Sequence, residues 1–219
     1  MEAPYECLPQ ENNTGAERTG RSRGSDGVHS ADESQKPTGM TLEDAPAVLD
    51  LSSVLPSGFV KLDKWQVLTQ GLTKENLGLG VDASEPHAFR SENPFQFVYC
   101  FLRIIENATE QSAAARRLFD ENTFRGMITT FLDFMAAEQG FKLPEPRIEF
   151  TYPAIGVGAA LAEGEIETPD GTLRFDMLSF RSKDKRVLGF VHSWYLSGEQ
   201  ESVLRLGREI EKRITAFDR

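Results

Sequence analysis

Apolar side chains recur along this chain with two different periods, one typical of strands and one of helices. The run Phe95–Ile105, FQFVYCFLRII, is apolar at odd and even positions alike, which predicts a strand buried on both faces of a sheet. Polar turns separate further apolar runs, and Thr168-Pro169-Asp170-Gly171 supplies one such turn. These runs predict four later strands, the last three of them an antiparallel meander: 147–152, 159–168, 173–181 and 186–196. A short strand is also predicted at Phe59–Trp65.

Two stretches show the helical period. Apolar positions within Thr109–Glu138 predict a long central helix, with Asn122–Thr123 as a point where it can divide. After Gly198 a last amphipathic helix is predicted to run to about Phe217, with Ser197 and Gln200 as a capping box. The pattern therefore favours an α+β fold, an antiparallel sheet packed against a long central helix and a C-terminal amphipathic helix.

The first part of the chain follows neither period. Residues 1–41 are mostly polar or small, so they offer almost no apolar area to offset the entropy of ordering them. We expect a disordered tail over 1–41 and a single domain over 42–219. Within the domain, Thr69–Ala83 is punctuated by glycines and is predicted to be a loop with one helical turn at Lys74–Leu77.

Composition narrows the classes of partner. The chain has 24 lysines and arginines against 34 acidic residues, a net charge of -10, which disfavours nucleic acid as a partner. No stretch resembles a transmembrane span, and Met1–Gln10 lacks the features of an export signal. A long polar segment ahead of a domain is also typical of tethered domains, so the compartment is left open, an extracytoplasmic one included if the start is misassigned or processed. Cys7 and Cys100 are not expected to pair, and Cys100 is predicted to be a core residue.

The motif Leu55-Pro56-Ser57-Gly58-Phe59, a helix after the second strand, a run of four strands and a closing helix after HSWY are similar to the Mog1/PsbP-like group. Small bacterial lipoprotein domains of related architecture are similar in the same way. The resemblance covers residues 50–217. It implies a non-catalytic binding or assembly factor, in many cases an extracytoplasmic one.

Residues able to carry chemistry are few. His192 and Asp176 are the candidates for acid–base catalysis, although Ser193 beside His192 points to the opposite face of its strand. His192 is more typical of a core or rim histidine. The glutamates at 163, 165 and 167 line one side of a strand, where Glu165 is predicted to pair with Arg174 across the hairpin. The histidines and cysteines are too few for a metal centre, no cofactor motif occurs, and we expect neither metal nor cofactor.

Aromatic residues supply the candidates for binding, namely Trp65, Trp194 and Tyr195, although such residues more often belong to a core. The leading hypothesis is a non-catalytic binding or assembly module, tethered by its tail, that engages a protein or a small apolar ligand through the sheet or the loop Gly71–Phe89. One alternative is a small hydrolase or isomerase that uses His192 with a nearby carboxylate. Another is a structural domain of an envelope-associated assembly.

Overall fold

One antiparallel sheet organises the chain in this computed structural model, which describes residues 39–69, 73–74, 79–118, 120–126, 128–129, 132, 144–168, 171–196 and 202–217. Within those residues the sheet has seven strands in the order β1-β2-β3-β7-β6-β5-β4. The strands are β1 Val60–Lys61, β2 His87–Glu92, β3 Phe95–Ile104, β4 Arg147–Thr151, β5 Gly158–Thr168, β6 Gly171–Arg181 and β7 Val187–Tyr195. Every pairing is antiparallel.

Helices lie on both faces of the sheet. They are α1 Ala45–Leu49, α2 Lys64–Thr69, α3 Ala108–Leu118 and α4 Val203–Ile214, and residues 121–126 are also helical. One face, here the α4 face, packs under α1 and α4 through a core that includes Val98, Cys100, Leu178, Val191, Leu206 and Ile210. The other, the α3 face, is rich in aromatic rings and includes Phe97, Tyr99, Phe101, Phe175 and Trp194. Apolar residues at both parities of β3 therefore face two separate cores.

The strands of the C-terminal half are confirmed. The meander β5-β6-β7 is antiparallel, with Thr168 opposite Gly171 at the first turn, as its Pro-Asp-Gly chemistry predicts. Strand β3 is buried along almost its whole length. The coarse α+β class is therefore confirmed.

The predicted strand at Phe59–Trp65 is wrong beyond its first residues. Only Val60–Lys61 is extended, and α2 begins at Lys64. Asp63 explains the change, because its carboxylate accepts a hydrogen bond from Gln66 N at 2.8 Å while Gln66 Oε1 accepts one from Asp63 N at 2.9 Å. This reciprocal pair is a capping box, which starts a helix where alternating polarity indicates a strand.

The long central helix is not confirmed. Helix α3 has 11 residues and α4 has 12, and a separate helical segment begins at residue 121. The Asp120 carboxylate accepts hydrogen bonds from Thr123 N at 3.2 Å and Thr123 Oγ1 at 2.7 Å, which is how a new helix is capped. The predicted capping box at Ser197 and Gln200, and the helical turn at 74–77 apart from Lys74, lie outside the described residues.

Three further differences concern places where the pattern is weak. Strand β2 was missed, because the predicted loop Gly71–Phe89 runs into it and its sequence HAFRSE has little alternation. Met40 lies within the predicted tail, yet its side chain is 1% exposed and belongs to the core under α4. The last helix was predicted to run to about Phe217, but α4 ends at Ile214, and Phe217 is 39% exposed. None of the described helices is long and apolar enough to cross a membrane.

Candidate functional site

A cavity of about 380 Å³ lies between α3 and the sheet, and we call it the helix pocket. Helix α3 contributes one stripe of side chains at helical spacing, Glu110, Ala113, Ala114 and Arg117. The remaining lining residues come from the loop before β2, from β3 and its end, from β6 and β7, and from the helical turns after α3: Asp82, Arg103, Ile105, Thr123, Phe124, Ser179, Leu188 and Phe190.

The floor of the helix pocket is apolar. Phe190 stacks on Phe101 with ring centroids 4.5 Å apart and planes 10° apart, which holds the exposed part of the Phe190 ring in a fixed plane. Ile105 and Leu188 are buried beside it, and Phe124 is buried on the adjoining wall. The pocket stays open because the stripe of α3 that faces this floor has alanines at its centre.

The rim of the helix pocket is charged. Arg103 donates two hydrogen bonds to Asp82 Oδ2, at 3.0 Å from Nε and 2.6 Å from Nη2, and this ion pair is about one-third exposed. Glu110 and Arg117 are exposed on α3. Buried Ser179 adds a hydroxyl to the lining. The site thus combines a fixed aromatic floor with a few polar groups at its edge, the usual make-up of a small-molecule site.

A second, polar depression of about 490 Å³ lies on the α4 face, beyond the part that α1 and α4 cover, and we call it the acidic basin. Strand register builds it, because Glu149, Glu163 and Asp176 are successive partners across β4, β5 and β6. The next row carries Arg147, Glu165, Arg174 and Tyr195. Glu165 Oε2 lies 3.8 Å from Arg174 Nε, so the predicted cross-strand pair is confirmed.

Asp176 is a buried carboxyl of the acidic basin. Its residue is 4% exposed, and burial together with the charge of Glu163 raises its pKa from 3.8 to about 6. The Tyr195 hydroxyl donates a hydrogen bond to Asp176 Oδ1 at 3.4 Å, which acts in the opposite direction. Asp176 is therefore partly protonated near neutral pH.

His192 and Asp176 do not meet. In the β6–β7 ladder Asp176 is opposite Ser193 whereas His192 is opposite Met177, so the two side chains project from opposite faces of the sheet. His192 is 1% exposed on the α3 face, where its Nδ1 and the Tyr99 hydroxyl share a hydrogen bond. Burial lowers the pKa of His192 to about 3, so its ring is neutral. The histidine is a core residue of the α3 face.

The aromatic candidates are also divided between the faces. Trp194 is buried on the α3 face with its ring 5.0 Å from that of Phe175. Tyr195 is buried on the α4 face and lines the acidic basin. Trp65 lies in α2, and its side chain is outside the described residues. Trp194 and Tyr195 therefore do not form one aromatic platform. Nor do the described residues contain a group of His, Cys, Asp and Glu side chains that could hold a metal ion.

Both depressions escaped prediction from the sequence. The glutamates at 163 and 165 were noticed as neighbours along a strand, but the row that forms the basin runs across three strands. The helix pocket joins α3 to β6 and β7, which lie far away in sequence. The sequence signal that could have indicated the helix pocket is the run of three alanines in SAAARR, inside an otherwise polar α3. Alanines on a helix that faces an aromatic sheet leave space between the two.

Comparisons with known proteins assign no family. Neither a protein-family model nor a curated protein matches the chain. Among solved structures the chain is similar to the extracellular domain of PknH from Mycobacterium tuberculosis, with 11% identity over 81% of this chain and 98% of that chain and a TM-score of 0.44. At this level the likeness assigns neither fold family nor function, and the resemblance to the Mog1/PsbP-like group stays a prediction.

Proposed function

We propose that this chain is a non-catalytic binding module that takes a small apolar ligand in the helix pocket. The observation that carries the proposal is the exposed part of the Phe190 ring, fixed by stacking on Phe101 at the floor of a cavity of about 380 Å³. That volume falls within the range of roughly 300–1,000 Å³ typical of ligand sites. Transfer of an apolar group from water onto this floor is favourable by about 25 cal/mol for each Å² buried.

The alternative of a hydrolase or isomerase that depends on His192 receives less support. A general base must reach the proton that it removes, and His192 is 1% exposed, neutral, and on the face opposite Asp176. A structural role in an envelope-associated assembly has no specific observation in its favour.

The test uses the neutral fluorescent probe N-phenyl-1-naphthylamine, titrated into the full chain, with a variant that fills the pocket. Ala114→Trp places an indole from the centre of the α3 stripe into the cavity, since Ala114 lines the cavity and packs against the cluster of Ile105 and Leu188. Ser112→Trp is the matched control, because Ser112 is an exposed neighbour on the same helix that does not line the pocket.

Wild-type protein and Ser112→Trp are expected to bind the probe with similar Kd, whereas Ala114→Trp should weaken binding about tenfold or more, since overpacking leaves no room for the ligand. Circular dichroism of each variant checks that the fold persists. Probe binding that is unaffected by Ala114→Trp, or no binding by the wild type, would remove the helix pocket as the ligand site.

A further inference from the structure

The mouth of the helix pocket has a negative charge at one end and a positive charge at the other. Glu110 lies in the first turn of α3 and Arg117 in the last turn, and both line the pocket. They are seven positions apart, which places their Cα atoms about 10 Å apart along the helix axis at 1.5 Å per residue. Ala113 and Ala114 lie between them, so the space between the two charges is open to the apolar floor.

Neither side chain is used elsewhere in the described structure. Other charged groups nearby have partners: Arg103 binds Asp82, and Arg181 Nη2 donates to Gln111 Oε1 at 3.2 Å. Within the described residues, by contrast, the Glu110 carboxylate and the Arg117 guanidinium make no ion pair and no side-chain hydrogen bond. The helix dipole favours an acidic residue in the first turn of α3 and a basic residue in the last turn, and Arg116 satisfies the second preference as well as Arg117 does. The dipole therefore does not explain why Glu110 and Arg117 lie at the mouth of the helix pocket.

We infer that the helix pocket binds a short apolar peptide with free ends, with its ammonium group at Glu110 and its carboxylate at Arg117. An extended chain advances about 3.3–3.6 Å per residue, so the spacing of roughly 10 Å suits three residues. The apolar central side chain would lie over Phe190 and Leu188. A planar guanidinium matches a carboxylate through two parallel hydrogen bonds, which makes Arg117 the group that sets the peptide direction. This inference rests on the proposed function and specifies its ligand.

The experiment measures the Kd of the tripeptide Ala-Leu-Ala by isothermal titration calorimetry, together with its N-acetylated and C-amidated forms. Arg117→Gln is expected to weaken binding about fivefold, and so is Glu110→Gln, in line with partly exposed ion pairs. Arg116→Gln is the matched control, because Arg116 has the same charge and lies in the same last turn of α3 but does not line the pocket. It should leave the Kd unchanged.

Combining the variants with the capped peptides tests each contact separately. If Arg117 binds the carboxylate, amidation should weaken binding to the wild type about fivefold and have no further effect on Arg117→Gln. Acetylation should show the same relation with Glu110→Gln. The inference fails if Arg116→Gln and Arg117→Gln behave alike, if the effects of capping and substitution simply add, or if the free tripeptide does not bind.

Failure of this inference is separable from failure of the proposed function. If N-phenyl-1-naphthylamine binds the wild type and is blocked by Ala114→Trp while the tripeptide does not bind, the pocket is an apolar site and the two charges serve only the helix. If neither ligand binds, both proposals are wrong.

Discussion

The buried carboxyl of Asp176 is expected to make the protein more stable at mildly acidic pH than its other groups alone would. In the folded state its pKa is about 6, against an ordinary value of 3.8, chiefly because burial penalises the charged form and also because Glu163 lies opposite on β5. The folded state therefore holds a proton that the unfolded state has already released. This stabilising contribution is fully present below the unfolded pKa and is lost as the pH rises through about 6.

The size of the effect follows from the two pKa values. A difference of about 2 corresponds to about 3 kcal/mol of unfolding free energy, at roughly 1.4 kcal/mol for each pKa unit. Asp176→Asn removes the titration and keeps a side chain of the same shape. Relative to the wild type, the unfolding free energy of Asp176→Asn should therefore rise by up to about 3 kcal/mol between pH 4 and pH 7.

The assay is urea denaturation of both proteins followed by circular dichroism, at a series of pH values from 4 to 8. Subtracting the pH profile of Asp176→Asn from that of the wild type cancels the contributions that both proteins share. One of these is His192, whose pKa is lowered from 6.5 to about 3, so that it reduces the unfolding free energy as the pH falls. Glu163→Gln is the control. It should lower the pH at which Asp176 titrates without abolishing the titration, because burial is the larger cause of the raised Asp176 pKa. Parallel profiles for the wild type and Asp176→Asn would refute the reasoning.

Three other predictions concern the two cores. Cys100 is fully buried and burial raises the pKa of its thiol to about 12, so in native protein a thiol reagent should label it at least tenfold more slowly than in urea-unfolded protein; equal rates would place it at the surface. Gly207→Leu should lower the unfolding free energy by about 3 kcal/mol in a thermal melt, because a Cβ at Gly207 would lie 2.3 Å from Leu178 Cδ2. Gly126→Ala is the control in the same melt, and it should be neutral or stabilising because the space around Gly126 is open. His192→Gln should lower the unfolding free energy by about 1–2 kcal/mol through repacking, and it should leave the Kd for N-phenyl-1-naphthylamine within about twofold of the wild-type value. A larger loss of binding would show that His192 contributes to the helix pocket.

Local chemistry was enough to predict the C-terminal half of the sheet. In β5 and β6 the apolar pattern and the turn at 168–171 agree, and a single antiparallel register then places Glu165 opposite Arg174. Burial of Cys100 followed from a strand that is apolar at both parities. These features depend on residues close together in sequence.

The rest depends on contacts between distant segments. Strand β2 is extended because β3 pairs with it along its whole length, not because HAFRSE favours a strand. The division of the central helix rests on one carboxylate, Asp120, and the start of α2 on the pair Asp63 and Gln66. The helix pocket requires the path of α3 over β6 and β7, which hydrophobic periodicity does not specify.

Strand β4 is the outermost strand of the described sheet on its side, and its side chains bear on how copies of the chain meet in concentrated solution. Two sheets that joined edge to edge through antiparallel β4 strands, centred on Glu149, would bring two Glu149 carboxylates face to face. Pro146, directly before the strand, has no N–H to donate to such a ladder. Charge and proline together protect this edge against aggregation through β-pairing.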